Sequence, residues 1–293
     1  NTVYMVSDGF SDECLGEKFS RLEFRSVSPH ILQVQMNRPK VNTWDAKMWA
    51  EVRACFTALE KDAALRVVLV TGAGRMFTAG LDLSPETFGF MANKTLDPAR
   101  TAVIIRRVGR EWQEALTSIA KCTKTVIACM HRACIGVGVE LASACDIRIC
   151  SKGTVFAMPE VAIGLAADVG GLQRFPKIVG NDSLVRELAL SGRHFQAEEA
   201  YSMGFVSRVC SSPEVMIQDA VELAKQIAGR TPTATVGAKQ LLNFSRDHTV
   251  DDSLDYALTW NQSMLQSPDL MQAAMAQLQK RTPVFPDLPP AKL

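Results

Sequence analysis

Three carboxyl groups stand in stretches that are otherwise free of charge. Glu140 is the only charged residue between Ala133 and Cys145 in CIGVGVELASACD, and Glu160 and Asp168 are the only charges in MPEVAIGLAADVGG, residues 158–171. An acid carried into apolar surroundings holds its proton more tightly than in water, which moves its pKa toward values useful for proton transfer. Two have a plainer alternative: Glu140 as a solvated carboxylate capping a helix, Asp168 as the N-cap of the segment after it. Gly136 and Gly138 open what reads as a helix, whose free amides and dipole end favour an anion or a developing oxyanion. A second glycine-rich stretch, GAGRMFTAGLDL at residues 72–83, superficially suggests a dinucleotide turn. Phe77 stands where the third glycine of GxGxxG belongs, which argues against one, although the glycines still let a ligand approach backbone amides.

Elements must deliver these groups to one place. Ile31 to Met36 alternates, with Leu32, Val34 and Met36 on one side and Gln33 and Gln35 on the other, a strand with one wetter face. Met48, Val52, Cys55 and Leu59 then follow helical spacing, with Asn42 and Thr43 as candidate caps. Val67 to Val70 is a continuous apolar run, the pattern of a strand buried on both faces. Ile105, Val108, Trp112, Leu116 and Ile119 mark a long amphipathic helix before another buried strand at Thr125 to Met130. Strands alternating with helices imply an α/β architecture. From Asp182 the pattern turns helical, over about 182–190, 213–228, 233–244, 251–266 and 268–279, with one strand expected near Phe205 to Val209. The division expected is an α/β core over 1–210, a helical region over 211–280 and an extended, exposed, proline-rich tail over 281–293.

Composition excludes several functions. Thirty-two Lys and Arg against 31 Asp and Glu leave a net charge of +1, with no electrostatic footprint for nucleic acid. No uncharged run reaches the ~18 residues of a membrane-spanning helix. The eight cysteines (Cys14, Cys55, Cys122, Cys129, Cys134, Cys145, Cys150, Cys210) form no CxxC pair or finger spacing and read as reduced core thiols of an intracellular protein. His30, His131, His194 and His248 have no metal spacing, and GxSxG, Walker and HExxH motifs are absent, so neither metal nor nucleotide cofactor is expected. The first fifteen residues fit neither a secretory signal nor a mitochondrial presequence, while a start at Asn1 leaves open a presequence already removed.

Taken in order, QMNRPKVNTWD (35–45), FTAGLDL, CIGVGVEL, PEVAIGLAADVGGLQRFPKIVGN (159–181) and SRDHTVDDSLDYALTWNQSMLQS (245–267) resemble the enoyl-CoA hydratase/isomerase (crotonase) superfamily, most closely its dienoyl-CoA isomerase branch. The resemblance runs from about residue 20 to 270. It implies a ββα spiral core with C-terminal helices that assemble trimers, often paired as hexamers, and an acyl-CoA thioester as substrate with no further cofactor. It places the amides of Leu81 and Val137 at the thioester oxygen, Val137 departing from the usual glycine. It implies contacts to CoA from Lys40, Val41, Ala79, Gly80, Asp82, Leu83 and Gly138.

The branch carries three acidic positions in its acyl pocket, matching Glu140, Glu160 and Asp168. Glu140 is usually Asp there; hydratases carry Glu at the first two positions and Gly at the third. Asp168 therefore favours isomerisation of 3,5-dienoyl-CoA to 2,4-dienoyl-CoA, with proton transfer between C2 and C6. The alternatives are a 2-enoyl-CoA hydratase using Glu140 and Glu160, and a weakly catalytic acyl-CoA-binding scaffold. The final Ala291-Lys292-Leu293 resembles the SKL-type peroxisomal address, implying an import receptor as partner, with a mitochondrial location as the alternative.

Overall fold

A computed structural model describes residues 19–89 and 96–289 of the chain. Cys14 and the terminal Ala291-Lys292-Leu293 lie outside the described residues. The chain is a mixed α/β fold organised around two sheets. The larger has six strands in the order β1-β2-β3-β4-β6-β9: β1 (Leu22–Ser28), β2 (Ile31–Met36), β3 (Val67–Gly72), β4 (Thr125–Met130), β6 (Ile147–Ser151) and β9 (Arg208–Cys210). Only the β1–β2 pair is antiparallel; the others run parallel, Ile31 opposite Val67 and Val67 opposite Thr125. The smaller sheet joins β5 (Ala133–Ile135), β7 (Val155–Ala157) and β8 (Phe195–Gln196).

The period of two in these strands feeds two separate cores. Leu32, Val34, Val68, Val70, Val126 and Ala128 join the main apolar cluster, whereas Ile31, Val67, Leu69, Ile127 and Cys129 join a second one. Against the first lie α1 (Ala46–Leu59) and α3 (Pro98–Lys121); a short α2 (Pro85–Phe88) sits between them in the chain. The second is closed by α8 (Pro213–Ala228), whose Met216, Ala220, Ala224 and Ala228 recur every fourth residue. The double-sided burial expected of Val67 to Val70 is found, and Gln33 and Gln35 are only half-buried.

Helix α1 buries Met48, Val52, Cys55 and Leu59 as their spacing requires. Its cap, however, is Asp45, whose side chain accepts from the Met48 amide, and not Asn42 or Thr43. Asn42 takes a left-handed backbone (φ 51°) and donates its side-chain amide to the carbonyls of Ala73, Met76 and Phe77. Trp49 of α1 stacks on Trp112 of α3 with centroids 5.1 Å apart. Between β5 and the smaller sheet's other strands runs α4 (Val137–Ala144), followed later by α5 (Gly171–Val179), α6 (Asp182–Ser191) and α7 (Ala197–Ser202).

The last strand is shorter than expected: Phe205 and Val206 are core residues that precede β9. Helices α9 (Pro232–Phe244), α10 (Val250–Met264) and α11 (Pro268–Leu278) complete the described chain. Lys239 of α9 is buried, donating to Asp146 Oδ2 at 2.7 Å and to the Lys124 carbonyl at 2.8 Å, which ties α9 to the sheet. Large apolar residues nevertheless stay outside, Leu258 at 72% exposure and Leu278 at 79%.

The described part of the tail is irregular and mostly exposed, as expected, with one anchored residue. Residues 281–289 have no regular structure, but Phe285 is buried, and the Arg66 guanidinium donates to its carbonyl and to Asp287. The seven described cysteines are all free and buried, as their apolar settings implied. No helix among the described residues is long and apolar enough to cross a membrane.

Candidate active site

Two backbone turns converge beside α4. Beyond β3 the chain folds back so closely that a Cβ on Gly72 would lie 2.5 Å from the Phe77 carbonyl oxygen. No helix opens at this loop, the next being α2 at Pro85, so the dinucleotide turn is ruled out here. Its amides are then spent in order: Thr78 donates to the Ala133 carbonyl, Ala79 to Val41, Gly80 to the Thr78 hydroxyl and Asp82 to Trp44. The Leu81 amide, in the middle of that series, meets no protein acceptor among the described residues. The second turn is Gly136, at φ 54°, which donates to the Ala157 carbonyl and caps α4. Val137 is the first residue of that helix, where an N–H has no partner within the helix, and it too meets no acceptor among the described residues.

Leu81 and Val137 line one cavity of about 240 Å³, and so do Glu140, Glu160 and Asp168. Helix α4 carries Glu140 on its first turn, only 3% exposed, with Oε1 accepting from the Gly171 amide at 2.9 Å. Burial pushes this carboxyl up to about 8, the Gly171 amide opposes the rise, and the charges of Glu160 and Asp168 add to it. Glu140 is therefore a buried acid, protonated at neutral pH, and not a solvated cap.

Glu160 opens a single 3-10 turn, Glu160–Ile163, and its Oε2 is buried without a hydrogen-bond partner among the described residues. Burial raises its pKa, its own backbone amide resists, and Asp168 raises it further. Asp168 lies at the mouth, exposed as a residue, yet partial burial still raises it above the usual carboxylate range. It is not a helix cap: α5 is capped by Gly170 with no side-chain bond. Gln113 of α3 donates to the Asp168 carbonyl at 2.8 Å.

The remaining lining is apolar: Trp49, Ile105, Val108, Trp112, Ile135, Pro159 and Leu165 among others. This explains why Ile105, on the apolar stripe of α3, is exposed, and why Val108 and Trp112 are half-buried. Ala79, Gly80 and Leu83 also line the cavity; Lys40, Val41, Asp82 and Gly138 do not. Gly138 answers to packing, since a Cβ there would sit 2.5 Å from Thr78 Cγ2. Lys40 is exposed at φ 76°. The Asp82 carboxylate is engaged by Arg38 at 2.5 Å; burial alone would raise its pKa, but the Ser84 amide and Arg38 hold it below the ordinary range. Arg38, which also reaches Asp45 at 3.3 Å, was not singled out in the sequence. The signal was its place beside Lys40 in the NRPK run.

Residues 27–288 match the family described as enoyl-CoA hydratase/isomerase. The chain belongs to the enoyl-CoA hydratase/isomerase family. It is 45% identical over 271 residues to the mitochondrial Delta(3,5)-Delta(2,4)-dienoyl-CoA isomerase of Mus musculus, an alignment covering 92% of this chain and 83% of the mouse protein. A peroxisomal Delta(3,5)-Delta(2,4)-dienoyl-CoA isomerase of Arabidopsis thaliana is 37% identical over 276 residues, covering 93% and 99%. The fold agrees with a solved enoyl-CoA hydratase from Bacillus anthracis at a TM-score of 0.82 and 25% identity, covering 91% of this chain and 99% of that one.

Membership bears out the crotonase-like architecture expected from the motifs. The tight contact between Glu140 and Gly171 has a measurable consequence of its own. A Cβ on Gly171 would sit 2.7 Å from Glu140 Cγ and 2.9 Å from its Oε1. Gly171→Ala is expected to displace the Glu140 side chain and to cost ~1–3 kcal/mol by overpacking. Urea denaturation of the folded variant measures this, and an unchanged midpoint would show that the contact is slack.

Proposed function

We propose that the protein is an isomerase converting 3,5-dienoyl-CoA to 2,4-dienoyl-CoA in fatty acid β-oxidation. The observation that carries this reading is the gathering of Glu140, Glu160 and Asp168 around one largely apolar cavity, beside two backbone amides that have no protein acceptor. The names of the mouse and Arabidopsis relatives support it.

The thioester oxygen lies against the Leu81 and Val137 amides. Removing a proton from C2 drives charge onto that oxygen, and each preorganised donor contributes ~2.7–4 kcal/mol to holding it. Asp168, the most solvated of the three acids, takes the C2 proton. The resulting dienolate spreads its electron pair over C2, C4 and C6. Glu160, whose burial raises its pKa and so favours the acid form, delivers a proton to C6, and the double bonds settle at C2 and C4. Return of a proton from Asp168 to Glu160 restores the starting state, so no metal or redox group enters the reaction. Glu140, neutral at pH 7, adds no charge to the cavity while fixing the Gly171 amide.

Lys40, Val41, Ala79, Gly80, Asp82, Leu83 and Gly138 are proposed around the CoA moiety, on the strength of the family resemblance alone. The division into a core (1–210), a helical region (211–280) and a tail (281–293), and assembly as a trimer or a pair of trimers through α9 to α11, belong to the same proposal. The exposed leucines of α10 and α11 support such an assembly. A peroxisomal location rests on Ala291-Lys292-Leu293, with the mitochondrion as the alternative.

A second reading, 2-enoyl-CoA hydratase, is favoured by one observation: Glu140 and Glu160, the pair a hydratase carries, face the same cavity. A third, a weakly catalytic scaffold that binds acyl-CoA, draws on the β-branched Val137. Offering purified protein both thioesters and following absorbance separates the three. Conversion of the 3,5-dienoyl thioester to the conjugated 2,4-dienoyl product is expected; loss of 2-enoyl absorbance with no isomerisation would replace the reading by hydration, and tight binding without turnover would favour the scaffold.

A further inference from the structure

Asp168 borders a second cleft of about 520 Å³, on the far side of the segment that carries it. That cleft is lined by Lys121 and Gln113 of α3, Arg174 and Lys177 of α5, and Arg246 and Asp247 at the start of the α9–α10 connection. The segment 168–171 is thus a thin wall. On its cavity side it presents the Asp168 carboxyl and the Gly171 amide that holds Glu140. On its other side it meets Arg174. The guanidinium lies over the bare face of Gly170, where any Cβ would overlap Nη1, and Gly170 itself takes φ 121°, open only to glycine. Nη1 donates to the Val169 carbonyl at 3.4 Å and Nη2 to the Thr117 hydroxyl at 3.1 Å. One planar cation therefore bridges the wall to α3, next to the point where Gln113 holds the Asp168 carbonyl.

Arg174 has no carboxylate partner of its own among the described residues. Burial lowers its pKa, and the charge it feels most strongly after that is Glu140. Four cations line the rear cleft (Arg174, Lys177, Lys121, Arg246) with Asp247, Asp168 borders both spaces, and Glu140 and Glu160 line the cavity beyond. Any proton released in the cavity is released into that field.

We infer that Arg174 is a positioning residue for the proton transfer: it clamps the 168–171 wall so that Asp168 and the Gly171 amide hold their places, and its charge favours the ionised form of Asp168, the base. The inference rests on the isomerase reading. It predicts a loss in the chemical step and little in binding, because Arg174 lines the rear cleft and not the acyl cavity.

The test uses the full-length Arg174→Met and Arg174→Lys proteins with 3,5-dienoyl-CoA. Arg174→Met is expected to lower kcat at least ~10-fold while KM stays within about twofold, since mispositioning acts on the transition state. Removing the cation makes the acids harder to ionise, so the rising acid limb of the pH–kcat profile should move to higher pH, by roughly half a unit or more. Arg174→Lys should leave the limb in place, because charge is retained, and recover only part of kcat, because the fork is lost. Wild-type kcat and an unmoved limb in Arg174→Met overturn the inference, as does a lowered melting temperature with an unmoved limb, the mark of packing alone. If Arg174→Met does not fold, a folded Arg174→Lys protein with wild-type kcat overturns it. A wild-type protein that isomerises nothing overturns the parent reading instead.

Discussion

Asp168→Asn is expected to lower isomerisation of 3,5-dienoyl-CoA by ~10²–10⁴-fold, the range lost when a positioned general base is removed. The amide is the same size but cannot accept the C2 proton. Because Asp168 is exposed at the cavity mouth, folding stability should stay within ~0.5 kcal/mol of wild type. Glu160→Gln should suffer a similar loss, for a different reason: no acid remains to protonate C6. Solvent exchange separates the two roles. In D2O, the Glu160→Gln protein should still exchange the C2 hydrogens of the substrate, since Asp168 and the two amides still build the dienolate. Asp168→Asn should exchange none. The reverse pattern would swap the assignments, and near-normal turnover in Asp168→Asn would end the proton-shuttle account.

The second large effect concerns stability and pH. Glu140 has a folded pKa of about 8 against 4.5 for an unhindered glutamate. Between those values the folded protein keeps a proton that the unfolded chain has released, so stability must fall as pH rises. The contribution is intact below about pH 4.5 and is lost through about pH 8, at up to ~1.4 kcal/mol per pH unit and several kcal/mol in all. Glu140→Gln keeps an oxygen for the Gly171 amide and has no proton to lose. Its slope should be much shallower, the remainder belonging to Glu160 and Asp168, whose pKa values are raised in the same direction. Urea midpoints at pH 5.5, 7 and 8.5 measure both slopes. A wild type that gains stability across this window, or a variant with the wild-type slope, would show that Glu140 is not a neutral buried acid.

How much of this was readable beforehand follows from what sets each feature. Helix α8 was expected over 213–228 and runs over Pro213–Ala228, because Pro213 after Ser212 starts it and one face repeats every fourth residue. The three acids were legible as charges isolated in apolar runs. The short strands β5, β7 and β8 were not: two or three residues carry no period, and their pairing is decided by contacts roughly twenty and forty residues apart in the chain. The same holds for the cavity wall. Trp112 reads as part of an apolar helix stripe and Trp49 carries no signal of its own, and only the approach of α1 to α3 makes both line one cavity. The described tail is irregular and mostly exposed, as its prolines imply, but its one anchor was not legible, for a related reason. Closely spaced prolines disfavour a continuing helix or strand, but they do not forbid docking, and the partner that captures Phe285 and Asp287 is Arg66, more than two hundred residues earlier.

The burial of the seven described cysteines has an experimental use. Burial pushes Cys122 and Cys145 up to about 12, leaving almost no thiolate at neutral pH. Alkylating reagents can therefore reach these sulfurs only when the surrounding structure opens. With Cys14 replaced by serine, the rate of iodoacetamide capture becomes a clock for native-state opening, read site by site by mass spectrometry. Cys210, beside α8, reports on the sheet's rear layer, while Cys134, bridged to Thr78 just before the Gly136 turn, reports on the backbone of the candidate active site.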